Sequence, residues 1–254
     1  MTLKRATISR MKPTLDIVVP VYNERENFEA LYRNLNELVK TPWRVTVVYD
    51  FPEDTTLESA RPLSERDPRV RLLKNDSRGV LPAIKTGFRA AEAPMTLLLM
   101  ADDPPEIIEK VDALVARMQE TGAAVVAASR YMKGGAHRGG GGFLKGLLSR
   151  MAGMSLHYVI GLPTHDATYA TKLFRTPFLH ENPIESTRGF TYALELTLKA
   201  YLNGERVSEI PVVWTERTKG SSRFKLLEWI PAYLGWYLWG VSRYFLSFFS
   251  GVRK

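Results

Sequence analysis

The stretch Thr96–Glu106, Thr-Leu-Leu-Leu-Met-Ala-Asp-Asp-Pro-Pro-Glu, restricts the fold of this chain more than any other. The apolar run Leu97–Met100 has the length and continuity of a strand buried on both faces of a parallel sheet. Polarity then reverses at Asp102 and Asp103. Pro104 stops the ladder, because it has no N–H to donate. Glu106 opens a helical pattern carried by Ile107, Val111, Leu114 and Val115. In open α/β sheets, ligands gather outside the carboxyl ends of the strands. Two readings of the acidic pair stand side by side. Asp102 and Asp103 can be polar turn residues capping the next helix. They can also hold a hard divalent cation, which Mg²⁺ chemistry achieves with one or two carboxylates plus substrate phosphates.

The same unit recurs along the chain. Leu15–Val21 reads as a first strand, ending in Tyr22-Asn23-Glu24, and a helix follows from about Glu26 to Lys40 with Phe28, Leu31, Leu35 and Leu38 on its apolar face. Arg44–Tyr49 is a second strand with Asp50 at its carboxyl end, followed by a helix from about Thr56 to Glu65. Val70–Leu73 is a short third strand, and helical periodicity through Val80, Ile84, Phe88 and Ala91 leads into the central run. A helix over Ile107–Glu120 precedes a further strand at Ala123–Ala128. This alternation predicts an α/β fold with a Rossmann-like, mostly parallel sheet flanked by helices. Glu24, Asp50 and Asp102 all fall at strand carboxyl ends, where the ribose, base and phosphate–metal group of a nucleotide can sit side by side. A nicotinamide dehydrogenase requires G-x-G-x-x-G after the first strand. The residues there are Pro20-Val21-Tyr22-Asn23-Glu24, and a P-loop is also missing.

A length of 254 residues suits one α/β domain with a sizeable core. Cysteine is absent, which excludes disulfides, thiolate zinc sites and cysteine nucleophiles and agrees with a reducing compartment. The net charge of +8 suits nucleic acid, an anionic membrane face or a phosphorylated substrate. No basic recognition helix or nucleic-acid motif accompanies that charge, so nucleic acid is not the expected partner. Residues 1–13 form a basic leader without the apolar core of a signal peptide.

Taken in order, Pro20-Val21-Tyr22-Asn23-Glu24, Asp50…Asp54-Thr55-Thr56, Arg78-Gly79…Ala83…Gly87, Met100-Ala101-Asp102, Ser129-Arg130-Tyr131…Gly134-Gly135 and Asp166-Ala167-Thr168 resemble the family-two, inverting GT-A glycosyltransferases. The branch most similar is that of dolichol-phosphate-mannose-synthase-like, polyprenyl-phosphate glycosyltransferases, and the resemblance covers most of residues 15–225. It implies that Pro20, Tyr22, Glu24 and Asp50 form the nucleoside pocket, with Arg78, Gly79 and Ala101 beside the nucleotide. Asp102 would be the metal-binding carboxylate of a D-x-D-type motif. Here the chain departs from the pattern: Met100 stands where the first Asp is usual, and the loop from Asp102 to Pro105 is shortened. Asp103 is the expected substitute ligand for Mg²⁺ or Mn²⁺.

The second half carries the expected acceptor side. Residues 134–142 hold six glycines and are read as a lid, flanked by Arg130, Lys133, Arg138 and Lys145. His137 is read as a solvated loop residue. An apolar helix spans Phe143–Ile160. The resemblance favours site roles for Asp166 and for Glu195, the latter within a helix expected over Phe190–Asn203. The run Arg217-Thr218-Lys219-Gly220-Ser221-Ser222-Arg223 suits a pyrophosphate or lipid phosphate, and its resemblance to the family's R-x-x-G-x-S pattern implies Arg217, Ser222 and Arg223 as the binders. Trp229–Gly251 has nine aromatic residues and one charge. Pro231, Gly235, Gly240 and Arg243 make it a poor spanning segment, and Trp and Tyr suit the headgroup layer, so an interfacial helix pair is expected.

The resulting organisation is a leader at 1–13, a glycosyltransferase domain at 14–225 and a membrane-interfacial tail at 226–254. The expected activity is inverting transfer of a sugar from a UDP- or GDP-linked donor to a polyprenyl phosphate, by a peripheral enzyme on the cytoplasmic membrane face. A lipid phosphate is already anionic and attacks without a strong base. A hydroxyl acceptor requires one, for which Asp103 or Asp166 is the candidate. Two alternatives remain open: a family-two enzyme acting on a glycan or small molecule, and a catalytically degenerate nucleotide-binding relative.

Overall fold

Runs of apolar residues become strands buried on both faces. In the computed structural model, which describes residues 12–138, 143–215 and 226–249, every residue of Leu15–Pro20 and of Val125–Ser129 is buried. The chain runs β1 (Leu15–Pro20), α1 (Arg25–Leu38), β2 (Trp43–Tyr49), α2 (Thr56–Arg66), β3 (Val70–Lys74), α3 (Val80–Arg89) and β4 (Met95–Leu98). It continues through α4 (Pro105–Ile108), α5 (Val111–Thr121), β5 (Val125–Ser129), β6 (Ala136–Arg138) and α6 (Phe143–Ile160). The remaining elements are β7 (Lys172–Arg175), α7 (Thr176–Glu181), α8 (Tyr192–Leu202), β8 (Val207–Pro211), β9 (Val213–Thr215) and α9 (Leu226–Phe249). These elements form two compact units, one of residues 12–115 with Leu173–Glu181, the other drawn from Ala116–Lys172 and Asn182–Lys254.

In the first unit the strand order is β3-β2-β1-β4, all parallel, with β7 antiparallel on the outer edge of β4. Pro20 pairs with Val48 and Val18 with Leu98, so β1, β2 and β4 finish on the same edge. Phe28, Leu31 and Leu35 bury one face of α1, as their spacing requires. The strand before the acidic pair ends earlier than its apolar run suggests, at Leu98 instead of Met100. The cause is local. The Met100 N–H donates to Asp103 Oδ2 at 2.8 Å, and the Asp103 N–H donates to the Met100 carbonyl at 3.1 Å, so the backbone closes into a turn.

In the second unit β5 and β8 run parallel, from Val125↔Val207 to Ser129↔Pro211. A second parallel pair, β6 with β9, places His137 in a strand, its ring stacked on Trp214 at 4.9 Å. His137 is therefore a packed residue and not a solvated one. The expected pair of C-terminal helices is one helix, α9, with Pro231 inside its second turn. So near the amino end, the proline removes a single internal hydrogen bond and the helix absorbs it. Tyr233, Trp236, Tyr237, Trp239 and Tyr244 of α9 pack on a core of Leu156, Ile160, Leu162, Leu194 and Leu198. Tyr237 Oη donates to Ser155 Oγ at 3.0 Å, pinning α9 to α6.

Candidate active site

Three loops leave the common edge of β1, β2 and β4, and each is tied down by its own polar side chains. After β1, Asn23 takes a left-handed conformation (φ 56°), which Asn tolerates better than most residues. Its N–H donates to Asp54 Oδ1 at 3.0 Å, and its Oδ1 accepts from the Thr55 N–H at 3.0 Å. Thr56 Oγ1 accepts from the Glu24 N–H at 2.9 Å. The Glu24 side chain is half-buried at the start of α1 and accepts from Asn27 Nδ2. An open cavity of about 360 Å³ is lined here by Asn23, Glu24, Asn27 and Thr55. Tyr22 is exposed, its ring edge-on to Phe51 at 5.4 Å, and Pro20 is buried at the strand end.

After β2, Asp50 uses both oxygens. Oδ1 accepts from Asn75 Nδ2 at 2.6 Å and Oδ2 from the Gly79 N–H at 2.9 Å. Gly79 has φ 111°, a conformation that only glycine adopts without strain, and this turns its N–H toward Asp50. Arg78 is exposed on the same turn. After β4, Ala101 is buried while Asp102 and Asp103 are half-buried. Glu24, Asp50 and Asp102 thus lie along one edge of the first unit's sheet.

The donor set at Asp102 suits a cation held mainly by substrate phosphates. Among the described residues no three His, Cys, Asp or Glu side chains are arranged as a ready metal cage. Asp103 already uses Oδ2 to close the 100–103 turn. One or two carboxylates, with phosphate oxygens completing the shell, is the usual Mg²⁺ arrangement and fits what the protein offers.

The second unit holds a buried cationic cluster at the carboxyl end of β5. Arg130 donates from Nε to Asp166 Oδ2 at 2.7 Å and from Nη2 to Asp166 Oδ1 at 3.0 Å. The Arg130 N–H also reaches Asp166 Oδ2 at 3.1 Å, and Nη2 reaches Ser149 Oγ at 3.1 Å. The guanidinium lies over the rings of Tyr131 and Tyr169, 4.9 and 4.5 Å from their centroids. Burial opposes its charge, but the Asp166 carboxylate prevails and holds Arg130 above its ordinary pKa. Lys172 is fully buried beside them, donating to the Asp166 carbonyl at 2.9 Å. Burial pushes Lys172 down to about 8, against the pull of Asp166. Tyr233 from α9 is pushed up, by burial first.

Asp166 is therefore fully engaged by its partners. Glu195 is too: Oε1 accepts from the Glu185 N–H at 2.6 Å and Lys199 Nζ at 2.7 Å, and Oε2 from the Ser186 N–H at 2.8 Å. Its side chain is wholly buried, which is the environment of a loop anchor and not of a group open to substrate. Arg217, Ser222 and Arg223 lie outside the described residues. Lys172 is the basic residue that follows Asp166-Ala167-Thr168 in the family-like acceptor segment, where the resemblance makes a site role for it plausible. A larger open cavity of about 540 Å³, lined by Arg117, Tyr201 and Arg206, lies at the opposite, amino end of β8.

Solved proteins share this architecture. The glucosyl-3-phosphoglycerate synthase of Mycobacterium tuberculosis, in complex with Mn²⁺, UDP and glucosyl-3-phosphoglycerate, matches with a TM-score of 0.66 at 14% identity, over 95% of this chain and 85% of that one. A mannosyltransferase of Pyrobaculum calidifontis, in complex with GDP-Man and Mn²⁺, matches at 0.62 and 17% identity, over 92% and 66%. The fold is that of the GT-A glycosyltransferases, a mostly parallel sheet flanked by helices. Residues 16–181 match Glycosyl transferase family 2, and the chain belongs to that family of nucleotide-sugar-dependent enzymes. The dolichol-phosphate mannosyltransferase of Pyrococcus furiosus is 28% identical over 221 residues, 83% of this chain and 59% of that protein. The chain thus spans under two thirds of that relative's length. The polyprenol monophosphomannose synthase of Mycolicibacterium smegmatis is 28% identical over 244 residues, 88% of this chain and 89% of that protein.

Proposed function

We propose that this protein transfers a sugar from a UDP- or GDP-linked donor to a polyprenyl phosphate, with inversion at the anomeric carbon. The observation that carries the acceptor class is the state of the carboxylates. Asp166 and Glu195 are both buried with both oxygens hydrogen-bonded, and Asp103 commits one oxygen to its own turn. A sugar hydroxyl needs a base to lose its proton, whereas a lipid phosphate is already anionic at neutral pH. Carboxylates committed in this way, among the described residues, suit the second. The names of the Pyrococcus and Mycolicibacterium relatives point the same way.

In this reading Tyr22, Glu24 and Asp50 receive the nucleoside, with Arg78 and Gly79 beside the diphosphate. Asp102, assisted by Asp103, would hold Mg²⁺ or Mn²⁺. Such a cation, when bound, supplies positive charge to a departing diphosphate. Arg130 and Lys172 raise the local positive potential that draws phosphate to the second unit. Arg217, Ser222 and Arg223 are further phosphate binders in the same reading.

The protein acts as a peripheral enzyme on the cytoplasmic membrane face. No described helix is long and apolar enough to cross a membrane. Yet Leu234, Leu238, Phe245 and Leu246 of α9 are about half exposed or more. Residues 234, 238 and 245 share one helical face, turned away from the aromatic packing, and an interfacial helix is expected to show such a face.

The test is transfer of radiolabelled sugar from a panel of UDP- and GDP-sugars, comparing undecaprenyl or dolichyl phosphate with soluble glycan acceptors. We expect lipid-linked product from wild type, and at least a hundredfold loss in Asp102→Asn without a change in melting temperature. Product on soluble acceptors alone would favour the glycan-acting alternative. Nucleotide binding without turnover on any acceptor would favour the degenerate one.

A further inference from the structure

The loop between α7 and α8, residues 182–191, has no regular hydrogen-bonded structure, yet its path is fixed from several sides. The Glu195 carboxylate accepts from the N–H groups of Glu185 and Ser186. Lys199 Nζ bridges the Pro183 carbonyl (2.9 Å), Glu185 Oε1 (2.8 Å) and Glu195 Oε1 (2.7 Å). Thr191 Oγ1 donates to the Arg188 carbonyl at 2.6 Å. Gly189 has φ 53°, and a Cβ there would meet the Trp229 ring at 2.6 Å. Phe190 packs edge-on against the same ring at 6.0 Å. Burying a carboxylate and an ammonium is costly unless every bond is made, so such a clamp is a poor way to gain stability alone.

What the clamp presents outward is Arg188. It is exposed, and among the described residues nothing hydrogen-bonds or ion-pairs with its guanidinium. Glu185, the loop's one carboxylate, is taken up by Lys199, so the charge of Arg188 is left uncompensated within the loop. The residue after the loop is tied to the segment that carries Asp166 and Lys172. Tyr192 Oη, just past the loop, donates to the carbonyl of Ala170 at 2.7 Å, between Asp166 and Lys172. Trp229, which the loop touches, lies one turn before Tyr233, whose hydroxyl is close enough to Arg130 and Asp166 to feel both charges.

We propose that Arg188 grips a substrate phosphate, and that Glu195 is the positioning residue that holds it in place. The proposal rests on the transferase reading above and adds a cation to it. A guanidinium fork on a fixed backbone matches phosphate oxygens two at a time and loses little entropy on binding. The phosphate is either the monophosphate of the lipid acceptor or the diphosphate leaving with the nucleoside.

Two probes separate these sources. Farnesyl phosphate stands for the acceptor and inorganic pyrophosphate for the leaving group, each titrated calorimetrically into wild type, Arg188→Ala and Arg188→Lys. We expect Arg188→Ala to weaken one of the two by about tenfold, the loss of one charge-assisted contact, and Arg188→Lys to recover part of it. The melting temperature should not move. With undecaprenyl phosphate as acceptor, the same variant raises KM for the lipid if farnesyl phosphate is the affected probe. Glu195→Gln should weaken the same probe, and combining it with Arg188→Ala should add nothing, because both act through one contact. Binding of both probes within twofold of wild type in Arg188→Ala overturns the proposal, and an additive double variant overturns the positioning role of Glu195. Wild-type protein that binds the probes but transfers no sugar sinks the transferase reading while leaving Arg188 decided.

Discussion

Two buried arginine–aspartate pairs do different work in this molecule. In the first unit, Arg44 donates from Nε to Asp16 Oδ1 at 2.7 Å and from Nη2 to Asp16 Oδ2 at 2.8 Å. In the second, Arg130 grips Asp166 in nearly the same bidentate way. The side chains are equally hidden, 10% and 2% exposed in one pair and 9% and 0% in the other. Their surroundings differ. Asp16 and Arg44 are paired neighbours in the register of β1 and β2, near the amino ends of those strands and away from the acidic edge. Asp16 Oδ2 also accepts from the N–H groups of Glu92 and Ala93, and Glu92 binds both Arg44 and Arg71. Two cations there meet two anions. Around Asp166, Arg130 takes the carboxylate while Lys172 donates to the backbone carbonyl, and Glu209, which also acts on Lys172, is held by His165. Balanced charge makes the first pair scaffold. The second pair sits instead at the carboxyl end of a strand, with a buried lysine beside it.

The largest test of this contrast removes the arginine from each pair. Arg44→Met and Arg130→Met each strand a buried carboxylate, at a cost of roughly 3–5 kcal/mol in chemical denaturation. Turnover, corrected for the folded fraction, should survive in the first and fall by at least a hundredfold in the second. Equal loss of turnover in both would erase the distinction. A smaller effect belongs to Lys172, for which the balanced pair has no counterpart. Its folded pKa, about 8, lies below the ordinary lysine value of 10.5, so between these values the unfolded chain binds more protons. The penalty is therefore full below pH 8 and is relieved as pH rises toward 10.5. Wild type should gain stability over Lys172→Met across that window, by about 3 kcal/mol at most. A flat difference from pH 7.5 to 10.5 would show that Lys172 is not held in this way. The smallest effect is Arg71→Ala. Arg71 and Glu92 are exposed and 3.2 Å apart, a kind of pair worth about 0–1 kcal/mol. A loss above 2 kcal/mol would mean that the scaffold pair leans on its surface partners.

Much of the first unit was legible in the residues. Leu15–Pro20 and Trp43–Tyr49 read as strands because parallel strands are apolar throughout, and Glu24, Asp50 and Asp102 read as an edge because each follows such a run. The charges inside the strands were not legible. Asp16 and Arg44 find each other across 28 positions, and neither shows in a local pattern. The second unit was harder. Arg130 and Asp166 could be named through motifs, but their mutual saturation could not, since it depends on contacts 36 positions apart. Glu195 could be named through the resemblance, but a motif cannot show that loop N–H groups reach both its oxygens. His137 looked solvated because the strand pairing it with Trp214 lies far along the chain.

By itself the sequence determined what depends on neighbours: which runs could be strands or amphipathic helices, where prolines and acids end them, and that the chain bears a surplus of positive charge. Only the tertiary structure decided which acids are spent on arginines, loops and turns, and which cations are buried beside them. Periodicity acts over a few residues, whereas a side chain's partners are chosen by the fold.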